Sequence, residues 1–74
     1  MKYTVRILAF RGLDMKEIES LTSKAANDTD AKTNGIALAN QKRLASGWDN
    51  QYQVGVAIRP TDGRKIEWFW KAAV

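Results

Sequence analysis

The chain contains no cysteine and no histidine, and Pro60 is the single proline among its 74 residues. Without cysteine there are no disulfides or thiolate metal sites, and nothing argues for an oxidising compartment. Without histidine the commonest metal ligand is missing, and so is the usual general base near neutral pH. The five glycines are isolated from one another, so no glycine-rich phosphate loop is present. Ser20, Ser23 and Ser46 have no histidine to activate them. Of the carboxylates, Asp14, Glu17, Glu19, Asp49, Asp62 and Glu67 stand in no pairing that local spacing would bring together, and read as caps, turn residues and surface charges. The expectation is a protein that is not an enzyme and holds no cofactor and no metal. There is also no apolar run of the roughly 18 residues that would suggest a membrane span. Lys2 leads directly into an alternating, strand-like segment rather than a signal peptide, so a soluble, cytoplasmic protein is expected, with no membrane partner.

A chain this short supports one small domain, 1–74, with a single core and little room for a deep cleft. Twelve Lys and Arg against eight Asp and Glu leave a net charge of +4, which suits either solubility or an anionic partner.

The most ordered-looking stretch is 52–71, YQVGVAIRPTDGRKIEWFWK. Pro60-Thr61-Asp62-Gly63 has the chemistry of a tight turn, Pro presetting φ and Gly accepting a positive one. A hairpin closed there pairs Arg59 with Lys65, Ile58 with Ile66, Ala57 with Glu67, Val56 with Trp68, Gly55 with Phe69 and Val54 with Trp70. Alternation then collects Val54, Val56, Ile58, Ile66, Trp68 and Trp70 on one apolar face. Gln53, Arg59, Lys65, Glu67 and Lys71 fall on the other, with Phe69 across from Gly55, where the ring either covers the glycine or anchors a binding patch.

From the start, 2–10 alternates with Tyr3, Val5, Ile7 and Ala9 on one side, predicting a further strand whose opposite side ends in the apolar Leu8 and Phe10. Asp14 and Glu17 have the form of a capped helix start, Leu13 and Ile18 can form a hydrophobic staple, and Met15, Ile18, Leu21 and Ala25 recur at helical spacing, predicting a helix over 14–27. The polar run 28–34 reads as a connection. A second helix is predicted over 35–46, with Ile36, Ala37, Asn40, Leu44 and Trp48 near one face, Lys42 and Arg43 near the other, and Gly47 as its stop. Alanines 37, 39 and 45 would let it approach the sheet. Trp48 to Gln51 turns the chain into the hairpin, and Ala72-Ala73-Val74 continues its last strand or frays. The expected fold is α+β: a three-stranded antiparallel sheet with two helices on one face, in the order β-α-α-β-β.

The candidate partner-binding residues are accordingly Phe69, Arg59, Arg64, Lys65, Glu67 and Lys71, with Lys42 and Arg43 as nucleic-acid contacts. Two helices followed by a hairpin with a basic tip have something of a winged helix, without its third helix. An N-terminal strand, the helix segment ALANQKRLAS (37–46) and the closing hairpin YQVGVAIRPTDGRKIEWFW (52–70) together resemble the build of small phage-encoded proteins, among them several anti-CRISPR proteins. That resemblance implies a stoichiometric inhibitor, working in the host cytoplasm, that occupies a surface of a bacterial CRISPR-type effector complex; it assigns no role to any single residue. The alternative is a small basic nucleic-acid-binding protein using the hairpin tip and second helix. Either is compatible with a monomer or with a dimer through a sheet edge.

Overall fold

The computed structural model describes residues 1–45 and 52–72 and corrects the expected architecture. One helix, not two, packs on a sheet of four antiparallel strands, not three. The elements are β1 (Lys2–Arg11), β2 (Asp14–Lys24), α1 (Asp28–Ala45), β3 (Gln53–Pro60) and β4 (Trp68–Lys71), and the strands lie in the order β2-β1-β3-β4.

The predicted helix over 14–27 is the strand β2. Arg11 pairs with Asp14 across a two-residue turn in which Gly12 has φ of 61°. Glycine at the first central position is the requirement of a type II′ hairpin turn, whose twist matches that of the flanking strands. The helical look of Met15, Ile18 and Leu21 comes from a bulge. Glu19 lies opposite Ile7 and Glu17 opposite Leu8, so one extra residue is inserted and the alternation changes phase at Ile18. Met15 and Leu21 therefore face opposite sides of the sheet although they are six residues apart. A period of two broken once in the middle imitates a spacing of three.

The single helix absorbs the whole predicted connection, 28–34, and begins at Asp28. Asn27 caps it: its Oδ1 accepts the Asp30 N–H at 2.8 Å, and its backbone carbonyl accepts the Ala31 N–H at 3.0 Å. Asp28 and Asp30 in the first turn and Lys42 and Arg43 in the last complement the helix dipole. Ala31, Gly35 and Ala39, one turn apart, are the helix residues buried against the sheet, and Ile36 and Leu38 flank them. Gly35 is not a helix start but an interior residue, and a Cβ there would collide with the buried side chain of Ile58. Ala37, expected against the sheet, is exposed. The side chains of Leu44 and Ala45, the predicted stop at Gly47, the Trp48–Gln51 turn and the chain end at 73–74 lie outside the described residues.

The core is the layer between α1 and the face carrying Tyr3, Val5, Ile7, Val54, Val56 and Ile58, with Leu21, Trp68 and Trp70 packed at its margins. The helix lies mainly over β3 and to a lesser degree over β1, so β2, touched by it through Lys42 and Glu19, is largely exposed. Both faces of β1 were separated correctly by alternation. Leu8 and Ala57 are buried on the side away from the helix, while Lys2 at the same side's start is exposed.

The hairpin exists, but its register is two residues from the expected one. Ile58 pairs with Trp68, Ala57 with Phe69, Val56 with Trp70 and Gly55 with Lys71. A slip of two preserves which face each residue points to, so the hydrophobic pattern cannot detect it. Gly63 does take a left-handed conformation, with φ of 96°. After it, however, the chain runs unpaired through 64–67, and Ile66, expected in the core, is 44% exposed.

Candidate binding face

Two consequences of that register bear on function. One is an ionic cluster at the hairpin tip. Thr61 continues the pairing with β1 by donating its N–H and its Oγ1 hydroxyl to the Lys2 carbonyl, at 3.2 and 3.1 Å. Asp62 then accepts the Arg64 N–H at 3.1 Å, which turns the chain so that the Arg64 side chain points back over the helix start. There its two terminal nitrogens fork onto the Asp28 carboxylate at 2.8 and 2.9 Å while its Nε donates to Asp62 at 2.9 Å. The buried Tyr3 donates its hydroxyl to the same Asp28 at 2.7 Å. Accepting from the Arg64 guanidinium and from Tyr3 holds the Asp28 carboxyl down at about 2, and the same bond pushes the Tyr3 hydroxyl upward. Arg64, a candidate contact for a partner or nucleic acid, is thus committed to two carboxylates. It fastens the tip of the hairpin to the first turn of α1.

The other consequence is a sheet face without a helix: α1 occupies one side, and among the described residues no helix or strand is layered on the other, the bare face, although Leu8, Gly55 and Ala57 at its centre are buried. Register places the side chains there in rows across β2, β1, β3 and β4. Lys24 lies beside Lys2; Thr22 beside Thr4 and Arg59; Ser20 beside Arg6, Ala57 and Phe69; Glu17 beside Leu8, Gly55 and Lys71; Met15 beside Phe10 and Gln53. Neighbours in such rows have Cβ atoms about 5 Å apart. Arg6 near the centre donates to Glu17 at 2.6 Å and lies in the field of Glu67, and both carboxylates hold its guanidinium charged.

Phe69 is the exposed ring of this face, 64% accessible. The expectation left it either covering Gly55 or anchoring a patch. The cover is supplied by Phe10, whose ring occupies the space a Cβ on Gly55 would need, and Lys71 extends over that ring with its Nζ 5.1 Å from the centroid. Phe69 pairs instead with the small Ala57, which leaves the ring standing above the sheet.

The sequence-predicted residues are therefore brought together in part. Phe69, Lys71 and Arg59 share the bare face, with Glu67 entering it just before β4 and Lys65 exposed in the same loop. An open hollow of about 550 Å³ lies over this loop between Arg59 and Glu67. Lys42 and Arg43 are elsewhere. They sit in the last turn of α1, roughly 20 Å along the helix axis from the turn that holds Arg64. Lys42 is tied to Glu19 of β2 at 2.9 Å. What the sequence reading missed on this face is everything contributed by β2, together with Lys2, Thr4 and Arg6 as a continuation of the Phe69 patch. The available signal was Gly12-Leu13 between two alternating runs.

No family model, curated protein or solved structure matches this chain. Among the described residues there is no cluster of three or more metal-ligating carboxylates, and no helix is long and apolar enough to cross a membrane. What remains is the chemistry of the face: one protruding aromatic ring, a paired charge cluster beside it, and lysines and an arginine around its margin.

Proposed function

We propose that the protein is a non-enzymatic binding protein of the inhibitor type, and that it engages a partner protein through the bare sheet face with Phe69 as anchor. The observation that carries this is the position of Phe69, lifted above Ala57 next to the Arg6, Glu17 and Glu67 charge cluster. Aromatic anchors surrounded by polar and charged groups of both signs are the composition of protein–protein hot spots. A single-strand nucleic-acid binder would instead carry several stacking rings across its sheet and a uniformly cationic surround. Here the central strands offer Arg6, Leu8, Gly55 and Ala57 at those positions, and two carboxylates oppose phosphate. The resemblance to phage-encoded inhibitors names the partner class to try, a bacterial nucleic-acid-targeting complex of the CRISPR-effector kind.

The test is capture of a purified effector complex of this kind by the wild-type protein and by Phe69→Ala, with the exposed Lys16→Ala as a control. Loss with Phe69→Ala alone supports the reading; equal capture by all three removes Phe69 as the anchor. Titration with duplex and single-stranded DNA and with RNA discriminates the nucleic-acid reading. Phosphate-driven affinity would fall with salt at a log–log slope of about −0.9 per duplex phosphate neutralised. No binding is expected at low salt.

A further inference from the structure

The groove between α1 and β4 lies on the opposite side of β4 from the exposed Phe69 ring. It measures about 150 Å³ and is lined by Lys32 and Ile36 of the helix, Ile58 of β3, and Trp68, Phe69 and Trp70 of β4. That volume is on the order of one known to accept a benzene ring. The walls are almost entirely apolar, and Lys32 stands at the rim with its Nζ 5.3 Å from the centroid of the Trp68 ring. Beside the groove runs the outer edge of β4, which pairs with β3 on one side and with no described strand on the other. The phase of that pairing is set by the bond from the Ala72 N–H to the Val54 carbonyl at 2.9 Å. Backbone groups alternate inward and outward along an antiparallel strand, so Trp68 and Trp70 bond toward β3, and the N–H and C=O groups of Phe69 and Lys71 point out.

From these features we infer that β4 is a strand-addition site for an extended, acidic segment of the partner protein, which inserts one apolar side chain into the groove. Main-chain bonds to Phe69 and Lys71 would extend the sheet, and alternate side chains of the added strand would fall on the groove side. The acidic character follows from charge. Lys32 at the groove rim, in the field of Asp28, and Lys65 in the loop before β4 form no ion pair with a described carboxylate, whereas on the other face Lys71 extends over Phe10 and Glu67 acts on Arg6. The other outer edge, β2, is longer but carries a bulge and charges of both signs along its length, which are features that protect an edge from pairing. The inference rests on the reading of the protein as a partner-binding module and gives that partner a chemistry.

The experiment uses isotope-labelled protein and three peptides of about ten residues, a typical strand length. One alternates Glu with Ile or Leu, a second is the same with Pro at its centre, and the third has Lys in place of Glu. The acidic peptide is expected to move the Phe69 and Lys71 amide resonances and the indole resonances of Trp68 and Trp70. The proline and lysine peptides are expected to bind at least roughly tenfold more weakly, as is the acidic peptide to Lys32→Glu at an unchanged melting temperature. Absence of shifts at β4, shifts confined to β2, or equal binding of all three peptides would overturn the inference. So would self-association that perturbs the same amides without peptide, because the occupant would then be a second copy. Lys32 lies on the helix side and the Phe69 ring on the bare side, so the two failures separate. Partner capture lost with Phe69→Ala but kept with Lys32→Glu leaves the proposed function standing and removes the strand-addition site.

Discussion

Asp28 is the residue on which the largest number of constraints meet. It is the first residue of α1, the acceptor for the buried Tyr3 hydroxyl, and the partner of the Arg64 fork from a loop 36 residues away. Its carboxyl ionises near 2 in the folded protein against an ordinary value of 3.8, so the ionised form is favoured by folding. The stability it contributes is fully present above its ordinary value and is lost as the pH falls through 2. The urea midpoint is expected to drop across the interval from about pH 4.5 to 2, and Asp28→Asn is expected to lower the midpoint at neutral pH and flatten that acid dependence. A wild-type midpoint constant over the same interval would remove Asp28 from this role. Tyr3, held protonated by the same bond, adds a loss at the alkaline end. Phe69 and Trp68, adjacent in sequence, separate just as sharply. Trp68 packs on Ile58 and lies 6.5 Å from the Tyr3 ring, whereas Phe69 points to solvent. Trp68→Ala is expected to cost close to the lower end of the roughly 3–5 kcal/mol typical for buried aromatics, since the ring is half-buried. Phe69→Ala should stay within about 0.5 kcal/mol. Melting temperatures separate the two, at about 4–8 °C per kcal/mol for a domain of this size.

At the scale of elements, the helix and β2 show opposite ways of misreading a pattern. The run NDTDAKTN (27–34) contains turn-forming residues, and those same residues are N-cap and first-turn residues. Asn27 followed by Asp28 and Asp30 is a helix start in which each polar group has a backbone or dipole partner, a structural role that composition alone conceals. Asn27→Ala is expected to cost about 1 kcal/mol, and Asn27→Asp, which keeps the accepting oxygen, to be nearly neutral; equal losses for both in urea unfolding would show that the cap bond contributes nothing. β2 presents the reverse case. Its apolar residues are few, and the bulge at Ile18 scrambles their alternation into a helical spacing.

At the scale of the molecule, the described residues form a one-layer sheet under one helix, and stability is distributed accordingly. β1 and β3 have strands on both sides and the helix above, whereas β2 and β4 are edges. Amide hydrogen exchange is expected to be slowest in Val5, Ile7, Val56 and Ile58, and faster in β4 and in the exposed part of β2. Comparable protection of β2 and β1 would mean that β2 is covered in solution. The one-layer arrangement also explains how much of the candidate face was legible. Alternation within 53–71 correctly placed Phe69, Arg59 and Lys71 on the side away from the core, because face assignment needs only parity. The β2 half of the face was invisible, since it depended on recognising Gly12-Leu13 as a hairpin turn.

Local chemistry by itself determined the α+β character, the apolar faces of β1 and β3, the inward side of Trp68 and Trp70, the left-handed Gly63, and the absence of thiol and imidazole chemistry. All of these follow from side-chain type and period-two geometry. Tertiary structure decided the remainder: that Asp28 and Arg64 meet, that the hairpin pairs two residues from the expected register, that Phe10 rather than Phe69 covers Gly55, and that Arg64 is tied to two carboxylates. Those outcomes depend on groups distant in the chain competing for the same space or charge. A periodic pattern is unchanged by a shift of two, so only the contacts themselves could choose between the registers.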